Sequence, residues 1–277
     1  MELLTETKIS KIFKFKHKNT NYVAKEFKKI TNFVKEYYVL KQLGTHDNII
    51  QNYGFMSNKK NKLMYIIFEM AHCDLAKFVI DNFEEDIEDI HDNSLRHYIS
   101  IKFGIEIIKS IKYIHDQGYA HLDIKLENIL ITKKNKLSLK ICDFGFATNT
   151  IMCSKHFGAP AYVAPEILTD NDYVAKKADI YSFGIVLYKI LHGYLPHINN
   201  ETTLCELLLK IKTEKIYCSK LINPDIAQFI ETLVDHDPNE RFDAQFIIQK
   251  LFEFKKYYEN KYENIIRKYK HFCLLSK

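Results

Sequence analysis

Two polar runs in the middle of the chain carry side chains that could do chemistry. The first spaces Asp123, Lys125 and Asn128 between apolar neighbours, as in a loop held by a rigid core. A carboxylate can accept a hydrogen bond from an incoming hydroxyl group, and an amide oxygen suits a hard divalent cation. The second run, Asp143-Phe-Gly145, sets another carboxylate after an apolar strand and before a glycine that permits a sharp turn. Two oxygen donors near a lysine predict a site for a metal-bound polyphosphate, whose transfer needs positioning and charge neutralisation.

A β-rich segment precedes these runs. Residues 9–29 alternate apolar and polar side chains and break at residues 18–21, which predicts a hairpin of two half-buried strands. Apolar residues recur at helical spacing over residues 33–43, and Gly44 follows as a helix stop, so a helix is predicted beside the hairpin. Two further strands are predicted, over residues 49–55 and 63–70.

A helix-rich segment follows the predicted strands. Apolar spacing predicts a helix over residues 101–115, and the almost wholly apolar residues 180–191 predict a helix that is buried on every side. The sequence therefore predicts an α+β fold with two lobes in a single domain of residues 1–277. The expected parts are a small β-sheet lobe with one main helix (about 1–70), a larger, mostly helical lobe (71–255) and a helical tail (256–277).

The composition is that of a globular protein, with 47% hydrophobic and 27% charged residues. The net charge of +5 is modest and the lysines are spread along the chain, so specific nucleic-acid binding is not expected. The six cysteines lie far apart without a C-x-x-C pair, which favours reduced thiols over zinc ligands or a disulfide framework.

The amino terminus also bears on location. It reads Met1-Glu-Leu-Leu-Thr-Glu, with charge where a signal peptide needs an apolar run, and no stretch reaches the length of a membrane span. An intracellular protein, cytoplasmic or nuclear, is the expectation. The sequence contains no indication of the oligomeric state.

Several motifs, taken in order, resemble those of the eukaryotic-type protein kinase domain family. They are His121-x-Asp123-x-Lys125-x-x-Asn128, Asp143-Phe-Gly145 and Ala164-Pro-Glu166. Upstream, Lys25 and Glu36 match the family's phosphate-anchoring lysine and its ion-pair partner. Downstream, Asp179 matches the buried aspartate of the large lobe, and Arg241 matches the arginine that pairs with Glu166. The resemblance covers about residues 4 to 255, and Lys125 is similar to the lysine of the serine/threonine branch.

The resemblance implies transfer of the γ-phosphate of ATP to serine or threonine hydroxyls of a protein substrate. It implies that Lys25 bonds the α- and β-phosphates, that Glu36 holds Lys25, and that Asp123 orients the substrate hydroxyl beside Lys125. Asn128 and Asp143 would ligate Mg²⁺, with Mn²⁺ as an alternative. The implied adenine contacts are Ile12 and Val23 above the ring, Leu130 below it, the backbone of Glu69 and Met70 at its edge, and Phe68 as gatekeeper.

The chain departs from the family pattern in its lid. Thr5-Glu-Thr7-Lys-Ile-Ser10 stands where the family has three glycines that approach the phosphates. Side chains at these positions are expected to loosen or reposition the lid, and Glu6 is expected to repel nucleotide.

Three further departures concern the large lobe and one strand. Leu122 replaces an arginine that would pair with a phosphate on the activation loop, so activity independent of loop phosphorylation is expected. Ala159 replaces a hydroxyl residue, which weakens the serine/threonine assignment. Asn52 would bring a polar group into a stack of Leu40, His121 and Phe144 and would need a hydrogen-bond partner there.

Alternative functions remain open at this point. The departures in the lid and at Leu122 and Ala159 favour a weak or inactive pseudokinase that acts as a binding or decoy module. Small-molecule kinases of the aminoglycoside type share the first motif, but they lack the combination of the other two. The acidic residues 81–92 are interpreted as a solvated face, or as a surface that attracts a basic substrate. Residues 251–275 favour a packing helix over a membrane-binding one.

Overall fold

The computed structural model describes residues 1–7, 9–58, 63–83, 94–133, 137–153, 158–169 and 171–263. Most of the acidic run predicted at residues 81–92 lies outside the described residues, and so does the tail beyond residue 263. Among the described helices, none is both long enough and apolar enough to cross a membrane.

The small lobe is built on an antiparallel sheet with α1 packed beside it. Within the described residues the sheet has five strands in the order β1-β2-β3-β5-β4. The elements are β1 (Glu2–Glu6), β2 (Ser10–His17), β3 (Thr20–Phe27), α1 (Ile30–Leu43), β4 (Asn52–Asn58) and β5 (Leu63–Glu69). The predicted hairpin and helix are confirmed. Strand β1 was not predicted, because Glu2–Glu6 is exposed throughout and has no alternating pattern.

The hairpin turn and the end of α1 follow from local backbone chemistry. Lys18 and Asn19 join β2 to β3 with φ of 44° and 64°, the left-handed geometry that matches the twist of a two-residue hairpin. Helix α1 ends at Gly44, whose φ is 65° and whose N–H donates to the Leu40 carbonyl at 3.1 Å. The helix therefore stops where the sequence predicts.

The large lobe is mostly helical. Its elements are β6 (Cys73–Asp74), α2 (Leu75–Phe83), α3 (Ser94–Asp116), β7 (Ile129–Lys133), β8 (Leu137–Ile141), β9 (Met152–Cys153), β10 (Tyr173–Val174), α4 (Ala175–His192), α5 (Leu204–Thr213), α6 (Pro224–Leu233) and α7 (Ala244–Lys261). Helix α4 is buried almost throughout, as predicted. Gly184 lies in its middle because a Cβ there would stand 2.6 Å from Cγ1 of Val234, so a side chain would push α4 away from the end of α6.

Strand β8 connects the two lobes and positions the second polar run. The Ile50 N–H donates to the Ile141 carbonyl at 3.0 Å, and the Ile141 N–H donates to the Asn48 carbonyl at 2.9 Å. These bonds join the segment before β4 to the end of β8. Asp143 follows two residues later, so it emerges at the junction of the lobes.

Candidate active site

A cavity of about 950 Å³ lies between the two lobes. It gathers nearly all of the site residues predicted from the sequence. Those lining it are Ile12, Val23, Lys25, Glu36, Phe68, Glu69, Met70, Lys125, Asn128, Leu130 and Asp143. Asp123 does not line the cavity, but it is hydrogen-bonded to three residues that do, Lys125, Asn128 and Ala159. Ala71, Cys73, Asp74 and Cys142 also line it and were not predicted, because no motif distinguishes them from ordinary strand and connector residues.

Lys25 joins the small lobe to the second polar run. Its Nζ lies 2.7 Å from Oε2 and 2.9 Å from Oε1 of Glu36, and 2.9 Å from Oδ1 of Asp143. Strand β3 carries the lysine, and α1 turns Glu36 toward it as a buried residue. Lys25 is only 5% exposed, so its charge depends on these two carboxylates rather than on water.

Burial shifts the pKa values of the acidic and basic members of this Lys25–Glu36–Asp143 cluster in opposite directions. Burial raises the pKa of Glu36 to about 7, although the charge of Lys25 opposes the rise. Burial lowers the pKa of Lys25, but the attraction of Glu36 and Asp143 outweighs it, so the pKa of Lys25 is raised and the ammonium is kept. For Asp143 the burial is likewise outweighed by Lys25, which leaves its pKa lowered.

Asp123 is held from three sides. Its Oδ2 accepts hydrogen bonds from Lys125 Nζ at 2.8 Å and from Asn128 Nδ2 at 2.7 Å, and its Oδ1 accepts one from the Ala159 N–H at 3.1 Å. The amide nitrogen of Asn128 also donates to the Asp123 carbonyl at 2.8 Å. The Asn128 side chain donates both of its hydrogen bonds to Asp123 through its amide nitrogen, so its amide oxygen is left for another ligand.

Asp179 supports this loop from beneath. It is 1% exposed, and it accepts hydrogen bonds from the His121 N–H at 2.8 Å, the Leu122 N–H at 2.7 Å and the His115 Nε2 at 2.8 Å. Leu122 has a φ of 62°, a left-handed conformation that is unfavourable for leucine and is secured here by its bond to Asp179. The single buried carboxylate therefore fixes the backbone from which Asp123 projects.

His121 is a core residue, as the sequence analysis expected. Its side chain is 0% exposed, its Nε2 lies 3.0 Å from the Cys142 carbonyl oxygen, and its ring meets Phe144 edge to face at 4.9 Å. The expected partner for Asn52 is found locally, since its Oδ1 accepts the Gly54 N–H at 2.7 Å across a strand bulge. The amide oxygen of Asn52 thus has a hydrogen-bond partner outside the stack of Leu40, His121 and Phe144.

The segment after Asp143 is tied to the large lobe by main-chain pairing and by one ion pair. Ala120 and Thr148 exchange two backbone hydrogen bonds, at 2.8 and 2.9 Å, and β9 pairs with β10. Arg241 binds Glu166 through two parallel bonds of 2.6 and 2.8 Å. The arginine side chain is fully buried, so this fork holds the end of the segment rigidly.

Glu69, at the end of β5, lines the cavity, and its acidic side chain is engaged elsewhere. Oε1 of Glu69 accepts from Lys140 Nζ at 2.5 Å and from the Gln51 N–H at 2.9 Å, and the side chain is 4% exposed. The carboxylate is therefore turned away toward β8. That the backbone of Glu69 and Met70 reads the edge of a ligand stays a prediction.

Glu6 in the lid is paired, contrary to the expectation of a free repelling charge. Its carboxylate lies 3.0 Å from Lys28 Nζ and 3.3 Å from Lys11 Nζ. The hydrogen bond from Lys28 and the neighbouring charge of Lys11 lower the pKa of Glu6. The negative charge is compensated within the small lobe, so its repulsion of nucleotide is reduced.

The donor set of the cavity fits a hard cation that keeps part of its hydration shell. Among the described residues, no three His, Cys, Asp or Glu side chains converge on one point as a metal cluster. Asp143 and Asn128 supply one carboxylate and one amide oxygen to the cavity. Mg²⁺ is commonly bound in this way, through one or two protein oxygens together with water and phosphate.

The environment of the two cysteines in the cavity disfavours their thiolate forms. Burial, and then the charge of Asp143, raise the pKa of Cys142 far above its ordinary value. Burial, and then the charge of Asp74, also raise the pKa of Cys73. Both side chains therefore stay protonated thiols, and thiolate chemistry is not favoured in this cavity.

Comparison with known proteins gives one family and several relatives. A family model described as "Protein kinase domain" matches residues 3–252. CBL-interacting protein kinase 26 of Oryza sativa subsp. japonica is 30% identical over 216 residues, which cover 75% of this chain and 40% of that protein. CBL-interacting serine/threonine-protein kinase 15 of Arabidopsis thaliana is 27% identical over 226 residues, which cover 79% of this chain and 50% of that protein.

A relative from another lineage is similar to the same extent. The RAC family serine/threonine-protein kinase homolog of Dictyostelium discoideum is 28% identical over 219 residues, covering 78% of this chain and 46% of that protein. In each of these three comparisons the chain spans half or less of the relative's length.

Proposed function

Because this chain belongs to the protein kinase domain family, we propose that it transfers the γ-phosphate of ATP to serine or threonine hydroxyls of protein substrates. One observation carries the proposal: the Lys25–Glu36–Asp143 cluster lies in the same cleft as the Asp123–Asn128 pair. A phosphate anchor, two oxygen ligands and a hydroxyl acceptor are thus brought together from both lobes. Phosphoryl transfer needs this positioning more than it needs covalent help from the protein.

Lys25 would bind the α- and β-phosphates. Its ammonium is already charged and oriented by Glu36, so little reorganisation is needed when a phosphate arrives. Asn128 and Asp143 would hold Mg²⁺, or Mn²⁺ in its place, and the bound ion would supply charge neutralisation for the phosphates.

Asp123 would orient the acceptor hydroxyl. Its Oδ2 is fixed by Lys125 and Asn128, which both line the cleft, so the carboxylate is held in one orientation beside it. Lys125 lines the cavity and adds a positive charge next to the position of the transferred group. The protein substrate is supported by the printed names of the relatives, which are serine/threonine protein kinases.

The closing experiment is phosphate transfer from Mg-ATP to generic basic proteins and to the chain itself. Asp123→Asn and Lys25→Met should each abolish transfer, whereas Lys16→Met, a control at an exposed lysine of β2, should retain it. All variants are first compared by thermal unfolding. Absence of transfer from folded wild type, with Mn²⁺ as well as Mg²⁺, would refute the enzyme and favour a pseudokinase that only binds.

A further inference from the structure

The lid of the cleft is the turn between β1 and β2, and the hydrogen bonds of one threonine hold this turn together. The Thr7 N–H donates to the Ser10 carbonyl at 2.8 Å. In return, Oγ1 of Thr7 accepts the Ser10 N–H at 3.0 Å and the Ile9 N–H at 3.3 Å. The same hydroxyl lies 3.2 Å from both the carbonyl oxygen and Oγ of Ser10, and can donate to either.

These hydrogen bonds engage backbone N–H groups of the lid that could otherwise donate to a ligand. Backbone N–H groups in a turn can cradle a phosphate only when they point outward without another acceptor. Here the N–H groups of Thr7, Ile9 and Ser10 all have acceptors inside the turn. Thr7 and Ser10 nevertheless line the cavity, so the lid borders the cleft with the N–H groups of Thr7, Ile9 and Ser10 already engaged.

The turn is also fastened to the neighbouring strand. Lys28 Nζ donates to the Thr7 carbonyl at 2.8 Å, and the Lys28 N–H donates to the Ile9 carbonyl at 3.2 Å. Glu6 holds the same lysine at 3.0 Å. Ser10 is 4% exposed. Side-chain hydroxyls thus stand where the family has glycines, and those of Thr7 and Ser10 bond the turn to itself.

We propose that Thr7 is a specificity-determining residue that lowers the contribution of the phosphates to nucleotide affinity, because its hydroxyl holds the N–H groups of Ile9 and Ser10. The inference rests on the proposed function, since it concerns the same cleft. The preference for ATP over adenosine then comes mainly from Lys25 and from the groups of the large lobe, Asn128 and Asp143. The lid covers the cleft but donates few hydrogen bonds to the phosphates.

The test compares dissociation constants of Mg-ATP and of adenosine for wild type and Thr7→Val, by calorimetry on the full chain. Valine keeps the shape of threonine but lacks the hydroxyl, so the N–H groups of Ile9 and Ser10 become available. Affinity for ATP relative to adenosine should rise about threefold to tenfold, the worth of one or two hydrogen bonds. Thr7→Ser should keep the wild-type ratio, and Thr31→Val, at an exposed position of α1, serves as the matched control.

Two results would overturn the inference, and they have different consequences for the proposed function. If the ratio in Thr7→Val equals that of wild type, the inference fails while the proposed nucleotide site stands. If wild type binds neither adenosine nor ATP, the proposed function fails and the inference fails with it. Thr7→Ala provides a second hydroxyl-free variant should valine unfold the chain. Faster amide exchange at Ile9 and Ser10 in either variant is expected as a readout independent of affinity.

Discussion

The backbone N–H of Ala159 donates a hydrogen bond to Oδ1 of Asp123 at 3.1 Å. Alanine has no hydroxyl to offer the carboxylate, so the main chain supplies this contact. The preceding Gly158 makes the approach possible, because its φ is 103° and a Cβ there would stand 3.1 Å from the Leu122 carbonyl oxygen. The orientation of Asp123 thus depends on the backbone of a distant segment.

Removal of that single donor should slow transfer without weakening nucleotide binding. Ala159 has a φ of −78°, which proline can adopt, so Ala159→Pro deletes the N–H and sets its ring Cδ against Oδ1 of Asp123, which displaces the carboxylate. We expect kcat to fall roughly tenfold, the usual cost of losing one hydrogen bond to a charged group. Steady-state kinetics with varied ATP measures it, and Ala159→Ser, which keeps the N–H, is the control. An unchanged kcat in the proline variant would contradict the role.

Removal of Lys25 should destabilise the small lobe in a pH-dependent way. Glu36 has a pKa raised to about 7 even with its partner present, and without Lys25 the pKa rises further. A carboxyl group whose pKa is raised by folding makes the protein less stable as pH rises from its unfolded to its folded pKa. Lys25→Met should therefore lose unfolding free energy between pH 7 and 8, up to about 1.4 kcal/mol over that pH unit, more steeply than wild type.

Urea unfolding at several pH values measures this loss. The control is the double variant Lys25→Met, Glu36→Gln, which lacks the carboxyl group whose pKa burial raises, although it keeps Asp143, and it should have a flatter profile over the same range. A steep profile in the double variant would assign the effect to another group.

His197 should make the fold acid-sensitive. Its side chain is 9% exposed, and its Nε2 has no hydrogen-bond partner among the described residues. Burial lowers its pKa, Glu214 opposes this, and Lys210 and His236 add to the lowering. A histidine whose pKa is lowered by folding contributes stability that is present above its unfolded pKa, about 6.5, and is lost as pH falls toward its folded pKa.

His197→Phe should therefore flatten the decline in thermal stability below about pH 6.5. Phenylalanine is apolar and cannot take up a proton, but it adopts the left-handed backbone of this position, with φ of 62°, less readily than histidine. The slope of Tm with pH, rather than its absolute value, is thus the diagnostic quantity. Burial also lowers the pKa of His46 and His192, so part of the slope should remain. An identical slope in both proteins would rule out His197 as a contributor.

Activity should not require phosphorylation of the segment after Asp143. Leu122 is 4% exposed and apolar, and the segment is held by its backbone pairing and by Arg241 rather than by a charged pair at this position. Thr148, Thr150 and Ser154, the last of which lies outside the described residues, can be changed together to alanine. Turnover should stay within about threefold of wild type, as for ordinary surface substitutions.

Phosphate-transfer assays on protein purified with and without phosphatase treatment measure this independence, with Asp123→Asn as the inactive reference. Loss of turnover in the triple alanine variant, with its thermal unfolding unchanged, would refute the prediction.

Local patterns in the sequence were sufficient for much of the fold. The hairpin of β2 and β3, helix α1 with its stop at Gly44, and the buried helix α4 follow from periodicity and glycine chemistry, which act over a few residues. The pairing of Asp123 with Asn128 is also local, since the two are five residues apart. Such short-range constraints can be predicted from the sequence without knowledge of the tertiary fold.

The sequence by itself therefore determined the hairpin of β2 and β3, helices α1 and α4, the two lobes and most of the polar residues that share one cleft. Only the tertiary structure decided which of them touch. The bond from Lys25 to Asp143 spans 118 residues, and that from Ala159 to Asp123 spans 36. Strand β1 and the pairing of Glu6 with Lys28 were equally out of reach. The reason is physical: exposed strands and surface ion pairs leave no periodic trace, and contacts distant along the chain depend on packing that brings separate elements together.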